Sequence, residues 1–394
     1  MRAKLLPKFD ALDPEVLDDP YPTYARLRAE GPLCRVSPAS FGVTRLEHVA
    51  PLLRDRRLGN DFPEDNPAFA VAEGAAGRVF RRILPTQDVE EHSRLHRLMV
   101  AAFSPRTARG HTDRIRAVVD ECLAPALDTG RLDVPGELAF PVAVTVVCEL
   151  MGLPADARGE IWARAGALAK AFTPFLPEPD RPAADEALAW LRGYVTDVLH
   201  ERRRSPAGDL VSRMLGELSD DEIVDNLAFL CFTGFETTMN MVSTGCLALA
   251  RFPGEFARLR ADRSLVRTAV EEFVRLDAPI QYTARVTREP VTIGDKTIKE
   301  GRSVLLMLGC ANHDERAFAD PGRLDVGRDP NPHVGFGGGV RGCLGAALAR
   351  VEGAVVFDAL LDRVRALELA GRPVRQPSAL FRSYASIPLV VTPS

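Results

Sequence analysis

The sequence holds no CxxC pair, no apolar run long enough to cross a bilayer, and little net charge. Its seven cysteines, at 34, 122, 148, 231, 246, 310 and 343, are odd in number and scattered, which disfavours a disulfide framework and a zinc ribbon. Most read as small buried hydrophobes. Fifty basic against 54 acidic side chains leave a formal charge of −4, unlike the strongly basic surfaces of general nucleic-acid binders. The longest mostly apolar stretch, Leu138 to Cys148, includes Pro141 and Thr145 and spans 11 residues, whereas a membrane span needs roughly 20. The opening MRAKLLPKFDALDP carries no secretory hydrophobic region, and no Ser/Gly linker or repeat divides the chain. These absences point to a reduced, cytoplasmic protein with no membrane or nucleic-acid partner. They also favour one large domain over residues 1–394.

What is present is a core: 46% of the residues are hydrophobic and 26% charged, the balance of a folded globular protein. Apolar residues recur at spacings of three and four in Pro20 to Glu30, Pro105 to Leu127, Ala184 to Arg204 and Glu255 to Leu276, which predicts helices. Strand-like runs occur at Arg35 to Arg45 and Val291 to Leu308, where VTIGDKTI sets a Gly-Asp turn between β-branched runs. The fold class expected is mainly α with small β-sheets. Asn60 to Gly77 lacks periodicity, and Phe172 to Pro182 crowds Pro174, Pro177, Pro179 and Pro182 into one connection; both read as loops able to line a site.

One helix stands out by length. Ser219 and Glu222 form a capping box, and the apolar pattern runs to Phe252, ahead of Pro253, for about 50 Å at roughly 1.5 Å per residue. Its middle, Thr233-Gly234-Phe235-Glu236-Thr237-Thr238, is poor helix material, so a local distortion is expected there. A solvated face is the alternative, opposed by the apolar flanks Leu227 to Phe232 and Met239 to Ala250.

Near the C-terminus, Gly337, Gly339 and Gly342 satisfy GxGxxG, but Asp329-Pro330-Asn331-Pro332 precedes them where a dinucleotide loop needs a buried strand. The cysteine offers another reading. Leu344 onward looks helical, so Cys343 would sit at a helix N-terminus, where a thiolate is favoured, and so many glycines let the backbone approach a flat cofactor. An ordinary buried cysteine is the alternative.

Phe336-Gly337-x-Gly339-x-Arg341-x-Cys343-x-Gly345 resembles the cysteine-ligand loop of the cytochrome P-450 family. Glu272-x-x-Arg275 resembles the family's characteristic pair, and Arg328 its third member; alone, such a pair is more often a surface contact. The long helix resembles the family's I helix, with Glu236 and Thr237 as its acid-alcohol pair and Thr233-Gly234 as the oxygen groove. Matches extend through DDPYPTYARLR, EHSRLHRLMVAAFSP, VCELMGLP and ANHDERAFADPGRLDVGR. The resemblance implies a trigonal prism with haem b held between the I helix and the L helix, Cys343 being the iron ligand. It departs from bacterial relatives at Arg341, where they commonly carry histidine, and at His96, where they tend to carry arginine. His92, His96, Arg285 and Arg341 are therefore expected at the propionates; the alternative has His96 in a packed core and Arg97 in its place.

The resemblance further implies a monooxygenase, by default a hydroxylase, in specialised metabolism. Thr237 would position oxygen and water, Glu236 would feed protons, and Phe336, Gly337 and Gly345 would frame the cofactor and its sulfur. Electrons would come from a separate ferredoxin and ferredoxin reductase, with Arg94, Arg97 and Arg350 as candidate contacts or simply solvated arginines. Phe229, Phe232, Thr233, Ile280, Gln281, Tyr282, Thr283 and Phe381 would line a pocket for a medium-sized organic substrate, although core packing accounts for each phenylalanine equally well. Oxidative coupling or rearrangement by the same cysteine loop is a second reading. A catalytically silent haem-fold module that recruits partner enzymes is a third, opposed by the presence of Cys343, Glu236 and Thr237.

Overall fold

The computed structural model describes residues 5–60, 62, 75–154, 157–173 and 178–394. Most of the stretch 60–77 and, in the proline-rich connection, Pro174 and Pro177 lie outside the described residues. Among the described residues helices dominate, accompanied by four small sheets. The largest sheet orders its strands Leu33–Ser37, Ser40–Val43, Ser303–Leu306, Thr283–Thr287 and Leu58–Gly59. A second joins Arg131–Asp133, Pro388–Pro393 and Val364–Leu369, and two-stranded pairs form from Val374–Gln376 with Ser383–Ser386 and from Val291–Ile293 with Lys296–Ile298. The last pair is the expected Gly-Asp hairpin, with Gly294 at φ 60°. Among the described residues no helix is long and apolar enough to cross a membrane.

Two expected helices are each divided. Pro105–Gly110 and Thr112–Thr129 meet at His111, whose φ −92° and ψ −1° close the first helix. Pro253–Ala261 and Val266–Leu276 are separated because the Asp262 carboxylate caps the Ser264 amide at 3.0 Å and starts a tight turn. Local capping defeats periodicity here.

The long helix, Asp220–Arg251, runs through the largest apolar core. Its capping box is formed: the Glu222 amide donates to Ser219 Oγ, and the Ser219 amide donates to Glu222 Oε2 at 2.8 Å. The expected distortion is absent, and the helix is unbroken through Thr233 to Thr238. Thr233 Oγ1 donates to the Phe229 carbonyl at 2.9 Å and Thr237 Oγ1 to the Thr233 carbonyl at 2.7 Å, so the hydroxyls are satisfied within the helix. Gly234 lets Val147 close on the backbone, since a Cβ there would lie 2.6 Å from Val147 Cγ2.

Glu272 and Arg275, one turn apart on Val266–Leu276, are both fully buried. Arg275 forks onto Glu272 at 2.7 and 2.8 Å, and Arg328 Nε donates to the same carboxylate at 3.0 and 3.1 Å. Asn331 Nδ2 and the Asp325 amide complete the shell. This carboxylate fastens residues 325–331 to the helix, immediately ahead of the glycine-rich loop. Glu272→Ala strands the buried Arg275 guanidinium and the half-buried Arg328 beside it and is expected to cost roughly 3–5 kcal/mol, read from a urea titration. A cost within the ~1 kcal/mol of a surface pair would contradict that burden.

Candidate active site

At about 100° per residue, the long helix presents different residues to different neighbours. Phe229, Thr233, Thr237 and Met241 recur every four residues and line an internal cavity, with Gly234 and Thr238 beside them. Phe232, Glu236 and Asn240 form the adjacent stripe and face Phe381 and the strand Ser383–Ser386 instead. Two expected pocket residues, Phe232 and Gln281, do not line the cavity, and Glu236, expected to feed protons, lies beside it rather than on its wall. Phe232 is fully buried, stacked on Phe172 at 4.9 Å and edge-on to Phe381 at 5.5 Å. Glu236 is buried against Ser383 and Asn240 rather than open to the cavity. Gln281 turns inward, donating to the Ala278 carbonyl at 2.7 Å and packing on Gly309. Its neighbours Ile280, Tyr282 and Thr283 do line the cavity, as does Phe381.

The glycine-rich loop lines the same cavity. The Cys343 amide donates to the Phe336 carbonyl at 2.9 Å, and Gly337 and Gly339 adopt φ 66° and 69°. A side chain at 339 would also meet the Leu53 carbonyl at 2.9 Å. The helix begins at Ala346, not Leu344, so Cys343 lies just ahead of its N-cap, Gly345. Cys343 is exposed to the cavity while lying deep in the fold. Burial pushes its thiol up, against the Gly345 amide and the Arg350 guanidinium. The other described cysteines are buried or, for Cys122, half-buried.

A cationic rim closes one edge. His92, His96, Arg285 and Arg341 all line the cavity, and the two imidazoles, one turn apart on Val89–Met99, stack at 5.7 Å. Burial, then Arg341, His96 and Arg285, pushes His92 down to about 4. Burial and Arg341 push Arg285 down to about 10. Arg341 is braced by the Gln87 and Pro85 carbonyls at 2.7 and 3.3 Å. Arg97 is exposed, so His96 holds the cavity position of the two.

The cytochrome P450 family model matches residues 167–380. The chain is 35% identical to vitamin D(3) 25-hydroxylase of Pseudonocardia autotrophica, over 95% of this chain and 94% of that protein. The chain belongs to the cytochrome P-450 family. It is also 33% identical to the monooxygenase PikC of Streptomyces venezuelae, over 96% of this chain and 92% of that protein. Among solved structures, CalO2 superposes with a TM-score of 0.90 at 32% identity, covering 98% of this chain and 99% of that one. P450BioI, crystallised with a hexadec-9Z-enoic acid-ligated acyl carrier protein, superposes at 0.88 and 31%, covering 96% and 100%. P-450 enzymes are monooxygenases that bind haem through a cysteine thiolate. The residues present fit that group. A thiol opens on the cavity from a loop whose backbone a flat ring can approach, and cations that depress one another's protonation mark where two carboxylates would sit.

The expected donor contacts differ in kind. Arg350 is bound to Glu271 at 2.5 and 2.9 Å and lies 4.3 Å over the Phe336 ring, while Arg94 pairs with Glu91 and Glu222. Sequence reasoning missed Glu352. On the helix Ala346–Arg363 it shares a cavity-lining stripe with Gly345, Leu348 and Ala349, and it accepts a hydrogen bond from Thr238 at 3.2 Å. A carboxylate on that otherwise apolar stripe was the available signal. Burial pushes it up to about 8 from 4.5, against Thr238. Between those values the folded protein keeps a proton that the unfolded chain has released, so stability falls as pH rises through the window. Glu352→Gln is expected to flatten that dependence in thermal unfolding. An unchanged slope would contradict a protonated Glu352.

Proposed function

We propose that this one-domain, cytoplasmic enzyme hydroxylates a medium-sized organic substrate of specialised metabolism with electrons from a separate ferredoxin and ferredoxin reductase. The observation that carries the reading is a cysteine thiol, a threonine hydroxyl and a cluster of basic side chains lining one largely apolar, aromatic-walled cavity. Bound haem would supply dioxygen activation with two electrons and two protons, the thiolate favouring O–O cleavage. Cys343 would ligate its iron, and Arg285, His92, His96 and Arg341 would hold its propionates. Gly337 and Gly345 leave room for the ring. Phe336, beneath the Arg350 guanidinium, would shield the sulfur.

The chain's own residues divide the remaining work. Thr237 commits its proton to the Thr233 carbonyl, so its lone pairs can accept a hydrogen bond from a protonated group in the cavity. Glu236, one residue away and screened from the cavity, stores the proton behind it. Phe229, Ile280 and Phe381 exclude bulk water and pack an apolar substrate. The name of the relative PksS, a polyketide biosynthesis P-450, supports a specialised substrate. Oxidative bond formation is the second reading, favoured by the 27% identical neighbour CxnD, titled for C–S bond formation.

Cys343→Ser is expected to abolish the red-shifted absorption band of the reduced, carbon monoxide-bound enzyme; an unchanged spectrum would sink the ligand assignment. Thr237→Ala is expected to retain haem and substrate while diverting electrons to hydrogen peroxide, lowering product per NADH roughly tenfold or more. Unaltered coupling, measured with ferredoxin partners, would favour the oxidative bond-forming reading.

A further inference from the structure

Glu236 is held at a seam between two elements. Ser383, on the strand Ser383–Ser386, donates from Oγ to Glu236 Oε1 at 2.6 Å. Asn240, one helical turn after Glu236, donates from Nδ2 to the same Oε1 at 3.0 Å and to Ser383 Oγ at 3.0 Å. The three side chains form a closed, buried triangle. Both donors converge on Oε1, which leaves Oε2 to carry the carboxyl proton. We propose that Ser383 is a positioning residue that holds the Glu236 carboxyl out of the cavity and sets when it yields its proton.

The surroundings favour this over packing alone. Among the described residues no ion pair reaches Glu236; burial pushes it up, and the Ser383 and Asn240 hydrogen bonds work against burial. Titratable groups on the elements around it are engaged elsewhere. Arg382 is on Asp277, Tyr384 lies under Arg375, Glu137 accepts from the Asp133 amide, Glu149 accepts from Arg114, and Glu352 accepts from Thr238. A neutral hydroxyl therefore does what a counter-ion would do elsewhere: it steadies the charged form enough for the proton to leave, without pinning the carboxylate permanently. Ser383 also stands two residues after Phe381, whose ring lines the cavity and abuts Phe232, one turn before Glu236. Cavity wall and acid are thus fastened to the same short segment.

The inference rests on Glu236 being the acid, and the test separates the two ideas. In the haem-loaded enzyme, the infrared band of the Glu236 carboxyl is identified by its loss in Glu236→Gln and followed with pH in Ser383→Ala and Ser383→Thr. Because the Ser383 hydrogen bond favours the carboxylate, Ser383→Ala is expected to move the titration to higher pH. It should also slow the oxygen-dependent step roughly three- to tenfold, the loss of one net hydrogen bond. Ser383→Thr, which keeps the hydroxyl, should restore both. If Ser383→Ala folds poorly, Ser383→Cys weakens the donor at similar volume and must shift the band in the same direction. A band that stays put in the Ala or Cys variant overturns the role of Ser383, even where Glu236→Gln slows the oxygen-dependent step. An unslowed Glu236→Gln overturns the reading of Glu236 itself, and the inference with it.

Discussion

Everything around the cavity depends on one buried carboxylate. Glu272 lies where water cannot solvate it, and such a charge is tolerated only when its acceptor positions are filled. Arg275 comes from its own helix, whereas Arg328, Asn331 and the Asp325 amide come from the segment leading to the cysteine loop. Arg275 is fixed in turn by the carbonyls of Asn312 and Pro321. The next link is Asn312 Oδ1, which accepts from the Val334 amide at 2.8 Å, after which Gly335 packs on Val274. Cys343 inherits its place from this chain of contacts. An ion pair of this kind adds little net stability over an apolar substitute, whereas removing one partner alone leaves a buried charge uncompensated.

The long helix performs a different separation. One stripe carries the hydroxyls that face the cavity, and the next carries the acid, which faces protein. With the Glu236 carboxyl behind the wall, this stretch of the cavity stays apolar enough for the proposed organic substrate, and the proposed proton source would remain one residue away. The cationic rim shows the complementary logic. His92, Arg285 and Arg341 disfavour one another's charges, so an anionic group placed at that edge would relieve them and would stabilise the fold on binding.

Features written in local spacing were legible in the chain. The capping box at Ser219 and Glu222, the glycine loop about Cys343, the Glu272–Arg275 spacing and the hairpin at Gly294 depend on residues a few positions apart. Helix breaks at His111 and Asp262 were not, because single caps interrupt an otherwise continuous apolar period. Phe232 and Gln281 were expected in the pocket beside residues that do line it, and each faces protein instead.

The amino-acid sequence by itself determined the mainly helical class and the family, and it singled out the cysteine and the acid and alcohol now proposed as the working pair, since each is a matter of residue type at short separation. Only the tertiary structure decided which side of the helix meets the cavity, because neighbouring residues diverge by about 100° and nothing local states which neighbour each will face. It likewise decided that Glu352 reaches Thr238 and that Ser383 reaches Glu236, 114 and 147 residues away along the chain. A carboxyl's proton affinity is set by burial and by its donors, and both are properties of packed elements rather than of the residue.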